Sequence, residues 1–365
     1  MHMADALISP VVGAAMWAAT LGTAAFSIKR IKGDIDDKKV PLMGVMAAFV
    51  FAAQMINFSI PGTGSSGHLG GGLLLSIVLG PYAGFLSMAS VLLIQALFFA
   101  DGGILAYGCN VFNLGFFTCF IAYPFVYKRI APEGSTAGRK SAGAIVAAIL
   151  GLQMGAFGVV LETLLSGKTE LPFGTFVLLM QPIHLAIGVV EGLVTTAIIA
   201  FVAKASPEIL DRADSREGLA GARVGKVVAV LGAGVLVVGG ALSWFASTYP
   251  DGLEWSMEKV AGTPELESSG SVHEGLASLQ AKTAFMPDYS FKASEAEGAA
   301  GASPLAEGAA PTGGADESAA WPAVDGGTSV AGILGGAMTL ALAALAGIGI
   351  RAAKRRSVRS EAKAA

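Results

Sequence analysis

The sequence predicts an all-α membrane protein, a polytopic helical bundle of about nine transmembrane helices with its N-terminus outside and its C-terminus inside. Hydrophobic residues make up 53% of the 365 residues and charged residues only 14%, whereas a soluble domain carries about 25% charged residues. The 49 glycines are typical of membrane helices, in which small residues allow close packing. Together these observations indicate that hydrocarbon surrounds most of the chain.

Nine apolar segments support this fold class, because a membrane-spanning helix needs about 20 apolar residues. They cover residues 10–28, 41–58, 69–79, 81–99, 104–126, 142–165, 173–202, 224–245 and 330–350. The third segment is too short for an upright crossing, so we expect it to be partly re-entrant. Cys109 and Cys119 share one apolar segment and are predicted to be packing residues.

The positions of the basic residues predict the topology, because cytoplasmic loops of membrane proteins carry an excess of Lys and Arg. With nine crossings and the N-terminus outside, the inner segments hold 20 of the 24 Lys and Arg residues. The basic residues that fall outside are Lys168, Lys259, Lys282 and Lys292. The sequence therefore predicts an N-out, C-in topology.

The start of the chain is a candidate metal chelator, because its second residue is a histidine. The Met1 amine, the His2 amide nitrogen and the His2 imidazole can close two fused chelate rings around one cation. A tetragonal set of nitrogen donors is preferred by Cu(II) and Ni(II). His68 follows a Gly/Ser-rich stretch on the same side of the membrane, and we predict that it is the fourth donor.

Three further polar residues are predicted to orient a metal ligand or to gate the pocket. His184 and Glu191 are seven residues apart, on one face of an intramembrane helix, where ionisable groups are usually functional. For His184, direct ligation of the metal is the alternative. Asn57 is the third such residue, with a helix–helix hydrogen bond as its alternative. His273 lies in an acidic loop and is predicted to be incidental.

Three motifs resemble those of a known family. The chain begins Met-His-Met-Ala-Asp-Ala-Leu-Ile-Ser-Pro, has Gly-His-Leu-Gly-Gly at 67–71, and has Pro-Ile-His-Leu at 182–185 followed by Glu-Gly-Leu-Val-Thr at 191–195. These motifs resemble the nickel/cobalt substrate-capture components of energy-coupling factor (ECF) transporters, the NikM/CbiM type. Ala6 stands where that family usually has glycine. The resemblance covers about the first 205 residues.

A second resemblance covers the rest of the chain. Residues 249–255, Tyr-Pro-Asp-Gly-Leu-Glu-Trp, are similar to the Pro-Asp-Gly-Leu-Glu signature of the companion subunits of these transporters, which have two helices flanking an extracytoplasmic loop. The sequence thus predicts a fusion. Its parts are a metal-capturing subunit of about seven helices at 1–205, a cytoplasmic linker at 206–223, a companion module at 224–350 and a basic cytoplasmic tail at 351–365.

The loop of the companion module, residues 246–329, holds thirteen acidic residues and three lysines. Its part from 293 to 327 is rich in Ala, Gly, Glu, Pro and Ser, a composition that buries too little apolar surface to fold, so we expect disorder there. An acidic antenna for cations and a plain spacer remain alternative functions of the loop. The stretch from Pro250 to Trp255 is instead predicted to form an ordered cap.

The resemblance implies the substrate-binding membrane component of an ATP-driven ECF importer for Ni²⁺, in a prokaryotic inner membrane. It implies three partner proteins, a transmembrane coupling subunit and two cytoplasmic ATPases, besides the lipid bilayer. It implies no nucleic-acid partner, no enzymatic activity of the chain itself and no resident cofactor. Co²⁺ uptake for cobalamin synthesis is the near alternative, and a secondary permease a distant one. Such a permease would show internal repeats, and a membrane metalloenzyme would show a His-Glu-x-x-His motif. The sequence shows neither pattern.

Overall fold

The computed structural model describes residues 2–31, 35–168, 171–213, 219, 221–264, 266, 270–292 and 321–364, without the side chains of 356–364. The described residues are mostly helical. Their helices are α1 Pro10–Ile31, α2 Lys39–Gln54, α3 Gly72–Leu79, α4 Pro81–Phe99, α5 Tyr107–Ile130, α6 Ala137–Leu165, α7 Phe173–Ala205, α8 Pro207–Asp211, α9 Val224–Gly240, α10 Gly252–Ala261, α11 Ser271–Thr283 and α12 Gly326–Ala364. One antiparallel hairpin, β1 Phe58–Ile60 and β2 Ser65–Gly67, follows α2.

Six of these helices, α1, α4, α5, α6, α7 and α12, are long and apolar enough to cross a membrane. The apolar helices α2 and α9 have only 16 and 17 residues, or roughly 25 Å at 1.5 Å per residue. That length is slightly less than the hydrocarbon thickness of about 30 Å. Within the described residues, the nine predicted crossings thus correspond to six helices of full length and three shorter ones.

The shortest of the three, α3, is preceded by non-helical residues that complete its path through the bundle. It has eight residues, and Gly80, with a φ of +82° that favours glycine, separates it from α4. Gly70, before α3, contacts Gln54 at the end of α2, whereas Leu79 borders a cavity with Lys39 at the start of α2. The segment therefore runs the length of α2, with its first part unwound.

The buried centre of the bundle is α2, which the last two apolar helices cover. Helices α9 and α12 both pack against α2, and nearly all α2 residues are buried. Close approach is possible because glycines lie at the contacts: an added Cβ on Gly44 would lie 3.0 Å from the Leu340 carbonyl oxygen, and one on Gly332 only 2.2 Å from that of Gly239. The companion helices are thus part of the same bundle.

The linker contacts the loop between α1 and α2. The Lys39 ammonium donates to the Ala213 carbonyl at 3.0 Å, the Lys38 ammonium to that of Ala222 at 2.8 Å, and the Leu219 amide to the Asp36 carboxylate at 2.6 Å. Arg351 of α12 pairs with Asp37 of the same loop. The region predicted as linker is therefore packed onto the bundle where the structure describes it.

Two regions contain helix outside the predicted apolar segments. Helix α12 continues to Ala364 instead of ending near 350, because Ala, Lys, Arg and Glu, all strong helix formers, dominate the predicted tail. The acidic loop 246–329 contains α10, α11 and a short 3₁₀ turn at Pro287–Tyr289. The tract predicted to be disordered lies mostly outside the described residues, which stop at 292 and resume at 321.

Candidate functional site

Asn110 of α5 anchors the first described residues of the chain. The Met3 amide donates to the Asn110 Oδ1 at 2.8 Å, and the Asn110 Nδ2 donates to the Met3 carbonyl at 3.2 Å. The Gly103 amide also donates to the Met3 carbonyl, at 2.9 Å, and the Met3 side chain is fully buried. These contacts fix the position of His2. Met1, the predicted amine donor, lies outside the described residues.

The two histidines predicted to bind metal lie against each other. Their imidazole rings are stacked, with centroids 4.9 Å apart and an interplanar angle of 9°. The His2 side chain is 7% exposed and His68 is 9% exposed. His68 follows β2 directly, so the hairpin after α2 carries it to the N-terminal segment. The structure thus brings together two residues that are far apart in sequence.

His68 has one nitrogen available as a donor. Its Nδ1 lies 3.0 Å from the Leu69 carbonyl oxygen, and because a carbonyl only accepts, Nδ1 carries the proton of the neutral ring. The buried Nε2 has no hydrogen-bond partner among the described residues. Burial lowers the pKa of His68 to about 3, so the ring is neutral at physiological pH. Its Nε2 lone pair is therefore free to bind a cation.

His2 is paired with a carboxylate that the sequence analysis did not identify. The His2 Nδ1 lies 3.0 Å from the Asp101 Oδ1, while the His2 Nε2 is buried without a partner among the described residues. The Tyr289 hydroxyl donates to the Asp101 Oδ2 at 2.5 Å. Burial opposes ionisation of Asp101, but His2 and Tyr289 outweigh it and hold the pKa of Asp101 below its usual range.

His184 lies close to His68 but on another side of it. Its Nδ1 donates to the Met180 carbonyl one turn earlier in α7, at 2.7 Å, and its Nε2 is buried without a partner among the described residues. A cavity of about 10 Å³ lies between His184, His68 and Asp251, at the lower limit for holding one water.

The Glu191 carboxylate accepts hydrogen bonds from main-chain amides. Its Oε2 accepts from the Gly70 amide at 2.7 Å and its Oε1 from the Gly71 amide at 3.2 Å. On the other side of the same segment, the Gln54 amide group donates to the Gly70 carbonyl at 2.8 Å. Unwound backbone at membrane depth needs such partners, because lipid offers none. Glu191 therefore holds the segment that follows His68.

We expect Glu191→Gln to destabilise the fold and to weaken metal binding, because a Gln side chain has one acceptor oxygen and turns an NH₂ donor toward the second amide. Hydrogen bonds to charged groups contribute on the order of 1.5–3 kcal/mol, so thermal unfolding in detergent should begin at a lower temperature. Glu274→Gln, at an exposed position on α11, is the matched control. Unchanged unfolding of the Glu191 variant would contradict this role.

An open cavity of about 330 Å³ lies beside the histidine pair. Polar groups dominate its lining, which includes His2, Asn57, His68, Asp101 and Asp251. Asn57 borders the cavity, and its Oδ1 has no hydrogen-bond partner in the described part of the chain. Among the described residues, no group of three or more His, Cys, Asp or Glu side chains is arranged to hold a metal ion.

The turn that begins α10 closes one side of the site. Asp251 caps α10, accepting from the Leu253 and Glu254 amides at 2.8 and 2.9 Å, and the Glu254 carboxylate accepts from the Asp251 amide at 3.0 Å, a capping box. The Ser66 amide of β2 donates to the Pro250 carbonyl at 2.8 Å. An added Cβ on Gly252 would lie 2.5 Å from the Ile183 side chain, so α10 packs tightly on α7. The ordered cap predicted at Pro250–Trp255 is present.

His273 makes a structural contact that the sequence did not indicate. It is 5% exposed, and its Nε2 donates to the Ile8 carbonyl at 2.9 Å, so α11 packs on the N-terminal segment. The acidic composition of the loop as a whole gave no sign of this contact, although α11 itself holds a single acidic residue, Glu274, at an exposed position. His273 therefore supports the N-terminal segment from outside the site.

Sequence reasoning also missed Asp101, Tyr289 and the main-chain role of Gln54. For Asp101 a signal existed: it is the acidic residue immediately after the fourth apolar segment, at the end of the bundle predicted to hold His68. Tyr289 stands beside a low-complexity tract and gave no comparable signal.

Comparisons with known proteins find similarity to metal-transport proteins. A family model described as the cobalt uptake substrate-specific transmembrane region matches residues 2–209, and a PDGLE domain model matches residues 225–352. An Archaeoglobus fulgidus protein named "Putative fused nickel transport protein NikMN" is 37% identical over 232 residues, which cover 63% of this chain and 75% of that protein.

Two further similarities point the same way. The fused nickel transport protein NikMN of Rhodobacter capsulatus is 32% identical over 225 residues, 58% of this chain and 64% of that protein. A crystal structure described as a truncated transition metal transporter is similar with a TM-score of 0.50 and 29% identity, over 56% of this chain and 99% of that chain.

Proposed function

The chain belongs to the cobalt uptake substrate-specific transmembrane family and carries a PDGLE domain, and from this premise we propose that it captures Ni²⁺ for an ATP-driven ECF importer. It is a multi-pass membrane protein of a prokaryotic cell and a component of metal uptake, a transporter rather than an enzyme. The observation that carries the proposal is the buried stack of His2 and His68, whose rings lie 4.9 Å apart.

The proposed donors are the Met1 amine, the His2 amide nitrogen, the His2 imidazole and the His68 imidazole. A chelate ring through the His2 amide nitrogen, Cα, Cβ and Cγ closes with six members at Nδ1. Loading then replaces the hydrogen bond between the His2 Nδ1 and Asp101, and the ring proton moves to Nε2. The unpartnered Nε2 of His68 completes the plane.

The remaining predicted residues support this set without supplying donors. Glu191 holds the main chain after His68, and Asn57 lines the cavity through which the cation enters. His184 backs the His68 side of the site, where the cavity of about 10 Å³ is too small for a hydrated cation, which favours a gating or orienting role over direct ligation.

The importer would require the N-out, C-in topology that the basic residues predict, with the site at the outer end of the bundle. A transmembrane coupling subunit and two cytoplasmic ATPases would then drive reorientation of the loaded protein. Metal-dependent ATP hydrolysis by the purified assembly tests this architecture, because a secondary permease would take up metal without ATPase subunits.

Nickel is favoured over cobalt because the chain carries a PDGLE domain after its transport region, and similar proteins are named fused nickel transport proteins. Co²⁺ is the second candidate, since the matching family is described for cobalt uptake. Ni²⁺ and Co²⁺ carry the same charge, so nitrogen donors cannot distinguish them by charge. Selectivity would come from geometry, and a planar site favours Ni²⁺. Competition between the two metals during uptake by depleted cells tests the choice.

His68→Ala should weaken Ni²⁺ binding at least tenfold, on the order of 1.4 kcal/mol, because it removes one of four donors. The measurement is titration of the purified full-length protein in detergent. His184→Ala is the matched comparison, since it removes a neighbouring buried imidazole that is not a proposed donor. An effect of His184→Ala equal to that of His68→Ala would contradict the donor set.

A further inference from the structure

We propose that the companion module supplies a positioning residue to the metal site: Tyr289 holds Asp101 beside the His2 imidazole, and Asp101 is the counter-charge of the bound cation. The inference rests on the proposed function, because it assigns roles to two residues around the same site. Neither residue belongs to the motifs that resemble the transporter family.

Asp101 uses both of its oxygens, one toward each partner. Its Oδ1 lies 3.0 Å from the His2 Nδ1, and its Oδ2 accepts from the Tyr289 hydroxyl at 2.5 Å. The residue before it, Ala100, has a φ of +56°, in the left-handed region that a residue with a Cβ rarely adopts. Such a backbone persists only where surrounding contacts hold it. The loop that carries Asp101 is therefore held in one conformation.

Several of those contacts come from the companion module, in addition to the bond from the Gly103 amide to the Met3 carbonyl. The Gln280 side chain of α11 donates to the Ala96 and Gly102 carbonyls, both at 2.8 Å, and so bridges the two ends of the Asp101 loop. The Met286 amide donates to the Phe98 carbonyl at 3.3 Å. Main-chain and side-chain hydrogen bonds from residues 280–289 thus help to fix the loop.

The Tyr289 phenol is itself fixed in place. Its ring stacks on Phe99 with centroids 5.1 Å apart and an interplanar angle of 19°, and it meets Phe51 edge-on at 6.1 Å. Its hydroxyl also accepts a hydrogen bond from the Gln95 side chain at 3.3 Å. Because contacts fix both the ring and the hydroxyl of Tyr289, this side chain can bind the Asp101 carboxylate and lose little conformational freedom when metal binds.

Charge explains why a carboxylate is needed at this point. Ni²⁺ brings two positive charges, and the deprotonated His2 amide supplies one negative charge. The Asp101 carboxylate, 3.0 Å from the His2 Nδ1, offsets the positive charge that remains. A buried charge without a counter-charge is strongly disfavoured, and the His2 side chain is almost completely buried. Asp101 also orients the His2 ring through Nδ1 until the metal replaces that hydrogen bond.

The test is a double-substitution cycle on Ni²⁺ affinity, measured with the full-length protein in detergent. Tyr289→Phe keeps the aromatic packing and removes one hydroxyl, and we expect it to weaken binding about tenfold, as for other residues that orient metal ligands. Asp101→Asn should weaken binding further. Because Tyr289 acts through Asp101, adding Tyr289→Phe to Asp101→Asn should produce no additional loss.

The visible absorption of bound nickel supplies the second measurement. Tyr289→Phe should leave the band unchanged at saturating metal, since every donor nitrogen remains. Tyr249→Phe, at an exposed tyrosine of the same module, is the matched control and should bind like the unsubstituted protein. Additive losses in the cycle, or normal affinity of Tyr289→Phe, would overturn the inference. Absence of nickel binding in the unsubstituted protein would instead refute the proposed function.

Discussion

An extension of three residues before Met1 should abolish high-affinity Ni²⁺ binding and uptake while leaving the fold intact. Every side chain remains in place, but the terminal amine leaves its chelate position and the Met1 nitrogen becomes an amide. We expect the dissociation constant to rise at least a hundredfold, about 2.7 kcal/mol. Titration of the purified protein and uptake by metal-depleted cells measure the effect.

The length of the extension matters for chemical reasons. One added residue would make His2 the third residue, and the amine, two amide nitrogens and the imidazole would then form a planar set of four without His68. Three residues prevent this alternative. The control is the same extended protein after the extension has been cleaved off, so that Met1 is again the terminal residue. Both proteins should unfold at the same temperature. Normal uptake by the extended protein would exclude the N-terminal chelate.

The helices and the histidine pair could be predicted from the sequence because their signals are local. Apolar runs of helical length define the spans, and His2 and His68 stand in short motifs whose predicted position, at one end of the bundle, brings them together. All nine apolar segments are helical in part within the described residues. Full crossings by nine helices and the direction of the chain in the membrane remain predictions.

The contacts around the histidines could not be predicted, because they join segments that are distant in sequence. Asp101 and Tyr289 lie in two loops from opposite halves of the chain. The role of Glu191 depends on the unwound segment after His68, and only the short length of the third apolar segment hinted at it. An acidic residue in a membrane helix indicates function. Its presence in the sequence does not show that its hydrogen-bond partners are main-chain amides.

Nickel affinity should depend steeply on pH, and the slope distinguishes the proposed chelate from an ordinary pair of histidines. Loading displaces the His2 amide proton at every pH, and near pH 7 it also displaces one from the terminal amine, whose ordinary pKa is roughly 7.7–8.0. Each displaced proton changes affinity about tenfold per pH unit. Affinity should therefore rise nearly a hundredfold per unit around pH 7 and about tenfold per unit once the amine is neutral.

His68 adds nothing to this slope, because burial lowers its pKa to about 3 and its ring is already neutral when the metal arrives. A site made only of neutral imidazoles would give a constant affinity above about pH 7, since no proton would leave. The bound nickel should also be diamagnetic and yellow, as a planar nitrogen set requires. A flat pH profile, or a paramagnetic spectrum typical of six oxygen-rich ligands, would exclude Met1 and His2 as chelating donors even in a protein that transports nickel.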